Sequence, residues 1–535
     1  MELPSALRAK SLSLPDLSGA YHVPVAWKAL ILFAVALIGR VVFLEIVGLD
    51  YTGWYTDTYH YWQIAFYTLH IGLAQSPPRM WDLGGQEYFW GSLPIVTESL
   101  LLYLFNTTTL MPYRIFDTIA GSTSVVLVYF MGRQYFSDGI GLVAGAAAAL
   151  SPVLWEVDTS GMLDPMGITL LFLALLLYRK TNYWTGFLLA LACLVNVEFW
   201  FLGLAMILLY LVVERSLTGF TRAFAGWLTV MIPYFYVLRV QTGDFLYPLR
   251  YNFLPSVGVA NMLGTTVPLQ AQILPRAVSI VLLLVASRYA IKFTIEKPRS
   301  YPANGLFLSR IGMQGVIFGL TSYVIPYIAF GQFPRVLIDQ LFALEYYYLP
   351  IVVVLIILQF YRRVRETRDH MNRSLFFYRG KRPRAQAQAP LRPETRGRLA
   401  GILMILLVFN ASLVPFVAHE YYATYGSYQY QLQMADFITS HYRGGTVVDS
   451  LVTVNYRLIN NGIPYGDILG TLHCPAEGGA AGRDWLIKNN VTWVIADQNL
   501  ETCYPSLQGV ATAPFHLVFG TQVYSVNQQE ILGNP

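Results

Sequence analysis

Between Val25 and Val417 the chain returns again and again to apolar runs, and the short loops between them hold most of its Lys and Arg. A helix needs roughly 20 apolar residues to cross a lipid bilayer. Inside lipid only helices and closed barrels satisfy their own backbone polar groups. The pattern therefore excludes a soluble globule. Composition agrees: 55% of residues are hydrophobic and 13% charged, where ordinary soluble domains are about a quarter charged. The net charge of +5 is small and sits in loops, which is an orientation signal and not a nucleic-acid footprint. The chain reads as a polytopic α-helical membrane protein.

Taken in order, residues 1–24 form a polar tail with Arg8 and Lys10, placed in the cytoplasm. No small-residue cleavage site follows the next apolar run, so that run is an uncleaved anchor. It spans Val25 to Ile46. Arg40, in its outer part, either snorkels to the interface or faces the protein interior near an anionic ligand. An outer loop covers 48–113. Within it Ser92 to Phe105 is short and carries Pro94 and Glu98, so it is expected to lie in the interface and not to cross. Spans are then expected at Arg114 to Met131, Gly139 to Val153, from Asp164 to the Arg179-Lys180 pair, Trp184 to Val195, Phe199 to Val213, and Ala223 to Val240. Four more are expected at Ile273 to Tyr289, Ile311 to Phe330, Tyr347 to Tyr361 and Leu399 to Val417. That makes about eleven on the usual length rule. Arg133, Arg222, Lys297 and the basic stretch Arg362 to Arg398 then fall on the cytoplasmic side, and the C-terminus outside.

The transmembrane domain thus covers 25–418. Beyond it, 419–535 turn polar and read as an extracytoplasmic soluble α/β domain. Helices are expected at Gln431 to Tyr442 and Gly482 to Asn489, strands at Thr446 to Val448 and Val491 to Ala496, and a strand or hairpin at Leu517 to Val526. Of the three cysteines, Cys193 lies in an apolar run. Cys474 and Cys503 lie in this domain, as a disulfide or as two free thiols. No Cys-x-x-Cys metal spacing occurs.

Under this topology two acidic stretches share the outer face. One is Gly53-Trp54-Tyr55-Thr56-Asp57-Thr58-Tyr59-His60-Tyr61-Trp62. The other is Trp155-Glu156-Val157-Asp158-Thr159-Ser160-Gly161-Met162-Leu163-Asp164. Asp57 is either the N-cap of a helix from Tyr59 to Leu69 or a proton acceptor framed by His60, Tyr59 and Trp62, residue types that stack on a sugar and hold a base in place. Asp164 before Pro165 has the form of a helix start. With Glu156 and Asp158 in the same outer turn, three carboxylates repel one another unless a cation or protons compensate. Asp57, Glu156, Asp158 and Asp164 are therefore a candidate set for a divalent ion such as Mg or Mn. Glu87 precedes the interfacial segment. Arg250, Arg276 and Arg335 are each either an interfacial anchor or a fork for a phosphate. No Walker-type or Gly-rich phosphate loop is present.

These stretches resemble the GT-C superfamily of membrane glycosyltransferases, which use polyprenyl-phosphate-linked sugars on the extracytoplasmic face. Asp57-Thr58-Tyr59-His60-Tyr61 resembles the Asp-Glu-x-His-Phe motif of protein O-mannosyltransferases, with Thr58 in place of the glutamate. Ser160-Gly161-Met162-Leu163-Asp164 resembles the Ser-Gly-Tyr-x-Asp turn of oligosaccharyltransferase catalytic subunits, whose aspartate binds metal. Glu87, in Glu87-Tyr88-Phe89-Trp90-Gly91-Ser92-Leu93-Pro94, sits where aminoarabinose transferases place a glutamate. The Trp-Trp-Asp-Tyr-Gly motif of oligosaccharyltransferases does not occur.

The resemblance implies a GT-C-like fold and an inverting transfer. Asp57 would take the proton of the acceptor hydroxyl, and Asp164, with a metal or an arginine, would stabilise the departing lipid phosphate. Its implied partners are a lipid-linked sugar, membrane lipid, and an acceptor protein, lipid or glycan, with His60, Tyr59, Trp62, Glu87, Arg250 and Arg335 binding substrate. Two other classes compete: a transporter or flippase for lipid-linked sugars, and a non-catalytic assembly protein.

Overall fold

The computed structural model describes residues 24–48, 57–72, 86–135, 138–178, 180–212, 216–253, 425–449, 451–470, 479–496, 515–527 and 529. The expected spans at 273–289, 311–330, 347–361 and 399–417 lie outside the described residues, as do Arg276, Arg335, Cys474 and Cys503.

The first helix, α1 (Val25–Val47), buries a stripe at helical spacing: Ala29, Leu32, Ala36, Arg40, Leu44 and Val47. Its other side exposes Trp27, Ile31, Val35, Ile38, Val42 and Ile46. A helix apolar on every side, with one face buried and the other bare, suits protein on one side and lipid on the other. The helices that follow are α2 (Asp57–Ile71), α3 (Ser92–Phe105), α4 (Met111–Tyr135), α5 (Asp138–Ala149), α6 (Pro152–Ser160), α7 (Asp164–Leu177), α8 (Asn182–Cys193), α9 (Glu198–Val212) and α10 (Leu217–Thr242). The centre is α4, which packs against α1, α3, α5, α6 and α7, while α8 joins α7 to α10. Where α8 meets α10, a side chain at Gly186 would overlap the Ala223 carbonyl, and one at Gly226 the Tyr183 carbonyl. Small residues let backbones approach where lipid gives no hydrophobic drive.

Among the described residues, Val25–Val47, Met111–Gln134 and Leu217–Thr242 are long and apolar enough to cross a bilayer. The helix α3 forms where the sequence sets a short segment, at 14 residues. The expected spans from Asp164, Trp184 and Phe199 form α7, α8 and α9, of 14, 12 and 15 residues, shorter than the roughly 20 a perpendicular crossing takes. The expected span at Gly139 to Val153 is instead α5 followed by α6, bent by 63°. Pro152 explains the break: it opens α6, and proline disfavours helix in the residue before it while suiting the first helical position.

The C-terminal part is a five-stranded sheet of β1 (Thr446–Val448), β2 (Ile468–Leu469), β3 (Val491–Ile495), β4 (Phe515–Phe519) and β5 (Val523–Val526), in the order β2-β1-β3-β5-β4. The first three strands pair in parallel, and β5 runs antiparallel to β3 and β4. Side chains alternate between faces. Val448, Val494 and Tyr524 pack with Leu486 of the helix α13 (Gly479–Lys488). Val447, Ile495 and Val523 pack toward Met434 and Ile438 of the helix over residues 425–441 (α11), and toward Val454 and Leu458 of α12 (Val452–Asn460). The expected strand at Thr446 to Val448 and the terminal hairpin form. The helix α12 and the strand β2 are additions.

The helix α12 docks on α2. The Tyr456 ring lies 5.2 Å from that of Tyr59 and 4.8 Å from that of Trp62. Its hydroxyl accepts from the Leu110 N–H at 3.4 Å, and Thr108 Oγ1 donates to Asn460 Oδ1 at 2.7 Å.

Candidate active site

Asp57 is the first residue of α2 and is exposed, in the turn where a carboxylate suits the helix dipole. From Thr58 to Tyr67 every residue is buried. A surface helix would bury one face only. This one packs against α3, α12 and the turn Gln86–Tyr88, which enclose it beyond Asp57.

What α2 meets at its start is the second acidic stretch. Gly161 ends α6 in the left-handed region, at φ 84°, and a Cβ placed there would lie 2.8 Å from the Thr58 methyl and 3.4 Å from Arg114 Cγ. Both backbone and space therefore require glycine. Arg114, 1% exposed, braces the same place: its Nε donates to the Thr159 carbonyl at 2.7 Å and its Nη1 to the Gly48 carbonyl at 3.4 Å. The ends of α1 and α6 and the starts of α2, α4 and α7 thus share one end of the helix bundle, and the two acidic stretches touch there through Thr58 and Gly161.

The acids behave differently from one another. Glu156 and Asp158 lie on α6, both buried, and not in an open outer turn. Two residues apart on a helix, they point to different sides. Asp158 turns to Arg40, whose Nε donates to its Oδ2 at 2.8 Å and whose second guanidinium nitrogen contacts the same oxygen. Arg40 therefore faces the interior, fully buried. The expected metal set of Asp57, Glu156, Asp158 and Asp164 is not gathered: among the described residues no group of three or more His, Cys, Asp or Glu could hold an ion. These residues do not fit a divalent metal, because Asp158 is already neutralised and Glu156 points elsewhere. Asp164, 7% exposed, stands in the first turn of α7 with Leu163, not Asp164, at the cap position.

The remaining candidates scatter. His60 packs its ring edge on Trp90 at 5.2 Å, and burial pushes its imidazole down to about 4, so it is neutral near pH 7. Tyr59 and Trp62, expected to stack on a sugar, are 1% and 0% exposed, with Tyr428, Tyr456 and Phe66 against their rings. Those rings already have protein partners. Glu87, in the turn Gln86–Tyr88, accepts from Thr68 Oγ1 at 3.3 Å, eleven residues along α2 from Asp57, or about 16 Å at 1.5 Å per residue. Arg250 pairs with Asp244 at 2.8 Å and is otherwise exposed. The sequence reading missed Arg114, Tyr113 and Asp117, which α4 carries to the same end. A buried ionisable residue within an expected span is the signal that could have found Asp117.

A family model described as dolichyl-phosphate-mannose-protein mannosyltransferase matches residues 96–238. ArnT from Cupriavidus metallidurans in the apo state superposes with a TM-score of 0.53 at 14% identity, covering 96% of this chain and 100% of that one. The same protein bound to undecaprenyl phosphate gives 0.51 at 15% identity, with coverages of 94% and 98%. AglB, the oligosaccharyltransferase of Archaeoglobus fulgidus in complex with an inhibitory peptide and a dolichol-phosphate, gives 0.44 at 14%, with coverages of 88% and 70%. Comparison with curated proteins returns no match.

Proposed function

We propose that this chain, whose fold is that of the GT-C membrane glycosyltransferases, moves a sugar with inversion from a polyprenyl-phosphate carrier to an acceptor hydroxyl. The observation that supports this most is the contact of Thr58 with Gly161, through which the two acidic stretches touch. The mannosyltransferase match over 96–238 covers the second of them, and the undecaprenyl phosphate bound by ArnT supplies the carrier chemistry.

In this reading the acceptor oxygen attacks the anomeric carbon while Asp57, exposed at the head of α2, takes its proton. The bond from that carbon to the carrier phosphate breaks, its electron pair leaves with the oxygen, and the lipid departs as a phosphate monoester. The departing charge needs donors aimed at it. The start of α7 turns its first backbone N–H groups outward, as helix starts do, and Arg114 braces the neighbouring end of α6 at Thr159. Asp164 then acts by orienting these donors, not by touching the phosphate. The basic loops support a cytoplasmic tail at 1–24 and an extracytoplasmic domain at 419–535, so the transfer faces outside.

The test is transfer from undecaprenyl-phosphate mannose by the purified protein in nanodiscs, with membrane extract as acceptor. Asp57→Asn should slow it about 10²-fold or more, the usual worth of a general base, and leave binding of undecaprenyl phosphate unchanged. Undiminished transfer by that variant would remove Asp57 from the chemistry. Passage of the intact lipid across a vesicle without sugar transfer would favour the flippase reading.

A further inference from the structure

Behind the Thr58 and Gly161 contact, buried polar atoms on five residues have no hydrogen-bond partner: Thr58 Oγ1, Glu98 Oε1, the Tyr113 hydroxyl, both oxygens of Asp117 and Oδ1 of Asp158. All five residues are at most 1% exposed. Folded proteins keep few such groups because each loses its water without replacement. Here they converge. Tyr113, Asp117 and Gly121 recur every fourth residue and share one face of α4. A side chain at Gly121 would overlap the Asp158 carboxylate, and Tyr113 Cδ1 lies 3.9 Å from a Cβ placed at Gly161. Glu98 and Asp164 lie within electrostatic reach of both Tyr113 and Asp117, and Asp158 within reach of Asp117. Helices α2, α3 and α4 and the segment from α6 to α7 therefore bring these groups into one buried polar cluster.

Its inventory limits what it can hold. Carboxyl and hydroxyl oxygens can all accept hydrogen bonds. Arg40 is engaged by Asp158 Oδ2, and Arg114 by the Thr159 and Gly48 carbonyls. The groups acting on Asp117 are all acidic, with no cation among them. A phosphate would find no charged partner there. A metal ion does not fit it either, since the described acids do not close around one point. What these residues share is unpartnered hydrogen-bonding oxygen, which suits a ligand that brings several O–H donors.

We propose that this cluster belongs to the sugar subsite, with Asp117 as a specificity-determining residue that accepts hydrogen bonds from hydroxyls of the donor sugar, flanked by Glu98 and Tyr113. The proposal rests on the glycosyl-transfer reading and adds to it a residue that neither acidic stretch contains.

The test compares binding of undecaprenyl phosphate with binding of its mannose, glucose, galactose and N-acetylglucosamine conjugates, using the full chain in nanodiscs. Wild type should bind at least one conjugate tenfold or more tighter than the bare lipid phosphate, which is about 1.4 kcal/mol. Asp117→Ala should cut that ratio about tenfold while binding undecaprenyl phosphate as before. Monodeoxy forms of the preferred conjugate then give a cycle: the one that lacks the recognised hydroxyl should lose affinity on wild type and none on Asp117→Ala. Where Asp117→Ala does not fold, Asp117→Asn and Glu98→Gln keep the shape and carry the same comparison. A ratio that survives in the variants overturns the proposal, as does a wild type that binds undecaprenyl phosphate but gains nothing from any sugar. A wild type that binds no undecaprenyl phosphate at all instead overturns the lipid-donor reading beneath it.

Discussion

The membrane core around α1, α4 and α6 and the interface between α2 and α12 are both buried, yet different forces close them. In the core the cross-chain tie is an ion pair, Arg40 with Asp158, set among alanines and glycines. Lipid tails are as apolar as leucine, so burial alone does not bring helices together there. Close packing and polar contacts must. At the interface the ties are aromatic and neutral: Tyr59, Trp62 and Phe66 against Tyr428, Tyr456 and Tyr465, and the Trp62 indole N–H on the Thr108 carbonyl at 2.8 Å. A domain that leaves water to dock gains from burying rings. The site-bearing helix α2 belongs to both regions, its head in the first and its flank in the second.

Arg40→Met breaks the first region. It leaves Asp158 without its partner in the core, a loss of about 3–5 kcal/mol. Folded yield in detergent and the melting temperature should both drop sharply, and Arg40→Met with Asp158→Leu should recover most of the loss. An Arg40→Met protein that melts with wild type would mean that packing, not charge, holds α1 to α6.

Tyr456→Ala breaks the second region. It removes the ring between Tyr59 and Trp62 and the acceptor of the Leu110 N–H, at roughly 3 kcal/mol for a large buried ring. Limited proteolysis should then release the C-terminal domain while the membrane helices stay folded, and transfer should fall because α2 loses its support. Tyr456→Phe, which keeps the ring, should lose far less. Equal effects of the two would assign the docking to the hydroxyl.

The same division governs what the sequence discloses. The helix α1 and the strand β1 are set by local pattern, and both form where that pattern puts them. The meeting of Thr58 with Gly161 joins two motifs that are each readable. The partner of Arg40 is not readable, because it lies 118 residues away and snorkelling fits the local sequence equally well. Glu156 and Asp158 read as an open turn because the expected span runs through Pro152 and stops at Val153, whereas Pro152 begins a new helix. Tyr59 and Trp62 read as sugar-stacking rings because the residue that covers them, Tyr456, belongs to α12, a nine-residue helix whose apolar side has meaning only once α2 is beside it.

Acid offers a smaller and reversible way to separate the two regions. Burial holds the His60 imidazole at about 4, against an ordinary 6.5. Between those values the unfolded chain binds a proton that the folded chain refuses, so stability falls as pH drops through that window and is unaffected above about 7. At pH 5 the loss is about 2 kcal/mol. His60 sits on α2 with its ring against Trp90, so the loosening that His60 causes should begin along α2. Melting curves from pH 7 to pH 5 should show the drop, and His60→Gln, neutral throughout, should lack that part of it. A slope unchanged in His60→Gln would mean that α2 is held by something acid does not reach, and the contrast between a charged core and a neutral interface would fail at the helix where the two meet.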